Sequence, residues 1–139
     1  MPIRVRDLSI PDELDREISR ESTDRATSWS ALATELLEEA LRMRRAPGVV
    51  FAEGAAGRRA VLAGTGLDVW EIVATWRAAG EDFGQLRQNY SWLTEPQLRS
   101  ALAYYDLYPR EIDARLEQEA QWTPERVASH LAFTRPRHN

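Results

Sequence analysis

Cysteine is absent, and so is lysine: all 18 basic residues are arginine. Without a thiol there is no disulfide and no thiolate chemistry, and a reducing cytoplasm is the natural home of such a chain. The lack of lysine reads as a coding bias before it reads as a phosphate-binding one. Histidine is nearly missing as well. His130 and His138 are the two present, and neither has a carboxylate or thiol at metal-ligand spacing, so both read as surface residues. No apolar run approaches the ~20 residues of a membrane span, and Met-Pro-Ile-Arg at the start lacks the apolar stretch of a signal peptide. A soluble, cytoplasmic protein without a membrane partner is expected. At 139 residues the chain fits one or two small domains, and its net charge of −4 restricts any DNA binding to a local patch.

The sharpest local signals lie between Gly57 and Tyr105, which read as a hairpin followed by three helices. Arg59, Val61 and Leu62 form a β-like run that stops at Gly64-Thr65-Gly66, where glycine permits the positive φ of a tight turn. Asp68 can cap the next helix. Val69, Ile72, Val73 and Trp76 recur at i, i+3, i+4 and i+7, and Gly80 supplies a left-handed stop. A short second helix over 81–89 offers Phe83 and Leu86, and the turn over 90–93 offers Tyr90 and Trp92 to the same core. Thr94 caps the third helix, with Gln97 three residues on as in a capping box and Pro96 in the first turn. Its inward stripe is Leu98, Ala101, Leu102 and Tyr105.

Five pieces carry a family resemblance: Gly64-Thr65, Leu67-Asp68-Val69, Ala79-Gly80-Glu81, Tyr90-Ser91-Trp92-Leu93-Thr94 and Ala101-Leu102-Ala103-Tyr104. In this order they resemble the domain of unknown function 433, over roughly 57–113. Gly66 stands where that family usually has arginine, and Ser91 where it usually has proline. The family is linked to VapB-type antitoxins. The resemblance implies a helix-turn-helix-like module acting beside a PIN-like ribonuclease toxin.

Ahead of this region, 4–45 reads as strand, helix, helix. Leu8 and Ile10 alternate with Asp7 and Ser9, and Pro11 opens a helix with Asp12 and Glu13 in its first turn and Leu14 and Ile18 on its buried side. Ala26 falls where a glycine C-cap is usual. Ser28 and Ser30 begin a longer helix, whose broad apolar face is Leu32, Ala33, Leu36, Leu37, Ala40, Leu41 and Met43. One strand and two helices cannot close a sheet edge or bury so wide a face, so a second copy is expected, with Leu8, Ile10, Leu32, Leu36, Leu37 and Leu41 at the dimer contact.

The order resembles the ribbon-helix-helix repressors, in which two chains pair their strands and lay the ribbon in the major groove. That resemblance implies a phosphate grip at the start of the second helix, on Ser28, Trp29 and Ser30. With Leu8 and Ile10 inward, period two turns Val5, Asp7 and Ser9 toward the bases, while Arg4 and Arg6 share the core's parity and reach phosphates only where the ribbon frays. The segment reads equally as a DNA-binding ribbon or as a dimerisation module alone. The third helix of the middle region exposes Glu95, Gln97, Arg99, Ser100 and Asp106, which suits a protein contact better than phosphate.

Ala46-Pro47-Gly48 breaks the second helix, Val49 to Phe51 can form a short strand, and 53–57 is a turn. After the middle region comes a charged helix over 110–121, with Ile112 and Leu116 on one side. A last amphipathic helix opens at Thr123-Pro124, and the tail from Arg135 reads as disordered. Its stripe of Trp122, Val127, Leu131 and Phe133 either packs back on the middle region or holds a partner.

Catalytic signals are few. Gly64-Thr65-Gly66 lacks the rest of any phosphate-binding fingerprint, no serine has a histidine motif nearby, and the pairs Glu38-Glu39 and Glu117-Glu119 look like solvated helix faces. No enzyme, metal or cofactor is expected. The fold class expected is mainly α with short β: a ribbon-helix-helix module over 1–46 with an intermolecular two-stranded ribbon, a linker and turn over 47–57, a helix-turn-helix-like domain with a small β hairpin over 58–108, and a helical extension over 109–139. Two functions stay open. One is the antitoxin of a type II pair, repressing its own operon at operator DNA and holding a PIN-like toxin through Arg115, Trp122, Arg126, Leu131, Phe133 and Arg135. The other is a stand-alone dimeric regulator or adaptor.

Overall fold

The computed structural model describes residues 2–55 and 57–121. They form a mainly helical chain with one two-stranded antiparallel sheet, and divide into a unit ending at Arg42 and a unit beginning at Met43. The expected last helix and tail, with Trp122, Arg126, Leu131, Phe133 and Arg135, lie outside the described residues.

In the first unit, residues 2–10 carry no regular secondary structure and form no strand within the chain. The ribbon expected there is a pairing between two copies. Helix α1 spans Asp12–Asp24. Pro11 is its N-cap rather than its first residue, and the Pro11 carbonyl accepts the Asp15 N–H at 3.1 Å. Asp12, Glu13 and Asp15 fill the first turn, where negative charge suits the exposed amides. Ile18 is buried as expected, and Leu14 is not. The helix ends in a Schellman motif: Thr27 N–H donates to the Ser22 carbonyl at 2.9 Å and Ala26 N–H to that of Thr23 at 3.2 Å. Ala26 takes φ 54°, the left-handed conformation that glycine adopts without a Cβ penalty. Helix α2, Trp29–Arg45, starts at Ser28, whose Oγ accepts the Ala31 N–H at 3.0 Å. Leu32 is buried, whereas Leu36, Leu37 and Leu41 are exposed.

The second unit is built on a hairpin. Strands β1, Val49–Gly54, and β2, Gly57–Leu62, pair antiparallel with Val49 opposite Leu62 and Gly54 opposite Gly57. Gly48 enters β1 at φ 98°, and a Cβ there would lie 2.9 Å from Ser100 Oγ, so both conformation and close approach require glycine. Past β2, Thr65 Oγ1 donates to the Leu62 carbonyl at 2.9 Å and accepts the Leu67 N–H at 3.0 Å, which closes the turn into α3, Val69–Ala78. Asp68 caps α3, and its own N–H donates to Glu71 Oε2 at 2.9 Å.

Gly80, at φ 69°, ends α3 in a second Schellman motif, followed by Glu81 at φ 61°. Helix α4 spans Phe83–Asn89, with Asp82 Oδ1 accepting the Gln85 N–H at 3.1 Å. Helix α5, Glu95–Leu107, opens with the expected reciprocal box: Thr94 N–H donates to Gln97 Oε1 at 2.8 Å and Gln97 N–H to Thr94 Oγ1 at 3.3 Å. Helix α6, Pro109–Ala120, packs against α3 and α5. Ile72, Val73, Leu86, Leu98, Ala101 and Tyr104 are wholly buried in one core, which Val49, Leu62 and Ile112 complete.

Two expectations for this core are corrected. Trp92 is 63% exposed and stands edge-on to Tyr90 at 6.2 Å instead of filling the core. Tyr104 is the fully buried tyrosine of α5, while Tyr105 is partly buried. A buried phenol needs a partner, and the Tyr104 hydroxyl donates to the Glu111 carboxylate on α6. Tyr105 stays near solvent because its hydroxyl donates to Asp113 Oδ1 at 2.6 Å beside the Arg77 guanidinium.

Candidate functional site

Two candidate places stand out, one in each unit. In the first, the outer side of α2 carries Leu36, Leu37 and Leu41, the latter two 61% and 56% exposed. Leu32 is already buried in the single chain, and Ile10 is half-buried. Ile3, Val5 and Leu8 are exposed on the segment before α1, with Arg4, Arg6, Asp7 and Ser9. Of the residues expected to grip phosphate, Ser28 serves as the cap of α2, Ser30 is exposed, and Trp29 is half-buried with its Nε1 enclosed and unpartnered. Leu36, Leu37 and Leu41 thus leave apolar side chains exposed on one helix.

In the second unit a cleft of about 210 Å³ opens between β2, the start of α3 and α6. Arg58 and Arg59 enter it from β2, Asp68 and Trp70 from the α3 start, and Arg115 and Gln118 from α6. Asp68, only 5% exposed, organises one wall. Its carboxylate accepts from the Arg59 guanidinium and from Trp70 Nε1, the latter at 3.0 Å. The Arg115 guanidinium lies over the Trp70 ring, 5.3 Å from its centroid, and pairs with Glu119 at 2.9 Å. Its Nε is buried without a hydrogen-bond partner. Arg58 pairs with Glu53 at 3.2 Å.

Of the residues expected to hold a partner, the described one, Arg115, therefore stands in this cleft. Arg58, Arg59 and Trp70 are the contributors that sequence reasoning missed. One signal was available for Trp70. It follows Val69 and so falls off the Val69, Ile72, Val73, Trp76 stripe, and an indole off the buried stripe needs its own cover. No pattern pointed to Arg58 and Arg59, because their convergence with Arg115 depends on how α6 packs. Among the described residues no cluster of histidine, cysteine and carboxylate could hold a metal ion, and no helix is long and apolar enough to cross a membrane.

Residues 49–105 match the model of a protein family described as protein of unknown function (DUF433). The DUF433 segment begins with β1 and ends within α5. Helices α1, α2 and α6 lie outside it, so the cleft has a β2 and α3 wall within the DUF433 segment and an α6 wall beyond it. No curated protein and no solved structure matches the chain.

Proposed function

We propose that the chain is a dimeric antitoxin of a type II toxin–antitoxin pair, which represses its own operon through the first unit and neutralises a PIN-like ribonuclease with the residues that follow. The observation that carries this reading is the exposed Leu36, Leu37 and Leu41 side of α2 together with an N-terminal segment that exposes Ile3, Val5 and Leu8 and forms no strand on its own. A second copy supplies what both lack: a strand to pair with 2–10, and an apolar cover for the leucines. The product is a ribbon-helix-helix dimer. It would present Val5, Asp7 and Ser9 to base edges and Arg4 and Arg6 to phosphate, with Ser28, Trp29 and Ser30 at the start of α2 as the phosphate grip.

The second unit is the protein-holding half of this reading. Its α3 to α5 arrangement is helix-turn-helix-like, and α5 leads with Glu95 and Gln97, a poor surface for phosphate. Arg115, with Trp122, Arg126, Leu131, Phe133 and Arg135 farther along the sequence, is the proposed toxin contact.

The test is co-expression with the product of the adjacent open reading frame, followed by pull-down, a ribonuclease assay and a promoter-DNA binding assay. An inhibited nuclease in a stable complex is the expected result. Promoter binding without such a complex would instead make the chain a stand-alone regulator. A monomeric mass at micromolar concentration would refute the dimer on which the reading depends.

A further inference from the structure

We infer that residues 3–10 pair with the same residues of a second copy around a centre between Arg6 and Asp7, a register that turns Arg4 outward and Val5 inward. The inference rests on the dimer proposed above and fixes the register of its ribbon. Ile3 and Val5 are each 91% exposed and Leu8 is 66% exposed, so these apolar side chains have little cover within the chain. Strand residues alternate between faces, which puts Ile3 and Val5 on one side and Leu8 and Ile10 on the other. An unbroken strand therefore buries only one of these pairs. Arg6-Asp7 is the one place between Ile3 and Ile10 where two polar residues adjoin. One extra residue taken up there, as in a bulge, brings all four apolar side chains to one face and leaves Arg4 and Ser9 on the other.

The polarity of the segment selects its partner. Outward from Arg6-Asp7 it reads the same in both directions: Val5 and Leu8, then Arg4 and Ser9, then Ile3 and Ile10. A two-fold antiparallel pair lays one direction on the other, so Val5 stands opposite Leu8 of the second copy, Ile3 opposite Ile10, and Arg6 opposite Asp7. Each apolar residue meets an apolar one, and each charge meets its opposite. No unbroken two-fold pairing does this. Centred on Asp7 it sets Asp7 against its own copy and Leu8 against Arg6, and centred on Arg6 it sets two arginines directly opposite, where like charges destabilise. Centred nearer either end, the ladder leaves two of the four apolar residues beyond it.

The first unit also has little core of its own. Among its described residues Ile18 and Leu32 are the buried apolar side chains, and a body of ~40 residues with so small a core and no cysteine to staple it draws on a second chain. In the ribbon that results, Val5, which unbroken alternation sends to base edges, becomes a core residue. Arg4 takes the outer face, where a guanidinium meets base edges or phosphate.

Because the chain has no cysteine, single replacements report the register by cross-linking. Full-length Val5→Cys and Leu8→Cys chains with different tags are mixed, allowed to exchange and mildly oxidised. Directly opposite residues lie within disulfide reach, so the mixed cross-linked dimer should form at about ten times the yield given by Val5→Cys with Ser9→Cys, the pair that an unbroken ribbon centred on Asp7 brings together. Ile3→Cys with Ile10→Cys is the second pair, should a replacement at Val5 or Leu8 unsettle the ribbon. In separate reduced samples, Arg4→Cys should react with a water-soluble alkylating reagent about tenfold faster than Val5→Cys, because a thiol on the buried face reacts only when the ribbon opens. A dominant Val5 to Ser9 cross-link, or faster alkylation at Val5 than at Arg4, would overturn the register while leaving the dimer in place. A monomeric mass with no cross-link removes the dimer and the register together. The expected cross-links in a chain that neither binds promoter DNA nor inhibits a nuclease uphold this inference and remove the antitoxin reading alone.

Discussion

Leu98 on α5 is completely enclosed, whereas Leu37 on α2 is 61% exposed, although both sit on helices with an apolar stripe. The difference lies in what surrounds them. In the second unit a hairpin and four helices close around one core, and α3 is covered by α4, α5 and α6 together. The first unit has two helices and an unpaired segment, too few elements to cover every face of α2. One apolar stripe is thus a core, and the other stays exposed in the single chain.

Leu37→Asp should break this comparison most strongly. In a symmetric dimer the change removes a leucine from each copy, and at ~1.5–3 kcal/mol per buried leucine the dimer should dissociate. Sedimentation should then show a monomer that keeps its helical circular dichroism. If Leu37→Asp sediments as the unmodified chain does, the α2 face is not the contact. Leu98→Ala is the mirror experiment. Its cavity should cost about 2–5 kcal/mol in denaturant unfolding of the second unit and leave the oligomeric mass alone.

The two Schellman motifs sharpen the same contrast on the backbone. Gly80 occupies the left-handed position after α3, and a Cβ there would meet no atom within 4 Å. Ala26 occupies the equivalent position after α1 at φ 54°. Gly80→Ala should therefore destabilise by about 1 kcal/mol through backbone strain alone, and Ala26→Gly should stabilise by about 0.5–1 kcal/mol. Both are read as shifts of the urea midpoint at constant slope. The smallest effect is expected at Trp92, where truncation to alanine should change stability by less than about 0.5 kcal/mol. A loss above 2 kcal/mol would show that the exposed indole is needed by the core.

Legibility followed locality. The Thr94 and Gln97 box, the Asp68 cap and the Gly80 stop depend on residues within one turn of each other, and each stands where the pattern placed it. Tyr104 and Tyr105 could not be told apart by spacing, because both lie near the edge of the Leu98 and Ala101 stripe. Glu111, arriving on α6, drew one hydroxyl inward, and Asp113 held the other at the surface. Trp92 was misplaced for a related reason: hydrophobicity says that an indole gains from burial, not that a hole exists to receive it. The cleft was visible only at Arg115. Its other cations needed the packing of α6 against α3.

Local hydrogen-bonding chemistry and the period of the apolar residues were enough for the sequence by itself to determine the helices and their caps, since each depends on side chains a few positions apart. The pairing of Val49–Gly54 with Gly57–Leu62, by contrast, puts a core strand where a linker and turn over 47–57 were expected. Which stripes close into a core was decided only in three dimensions. Burial depends on the number of elements that arrive around a face, and that number brought Leu98 to complete enclosure and left Leu37 in water. The grouping of Arg58, Arg59, Arg115 and Trp70 is of the same kind, because guanidiniums from β2 and α6, far apart along the chain, meet only when α6 packs beside α3.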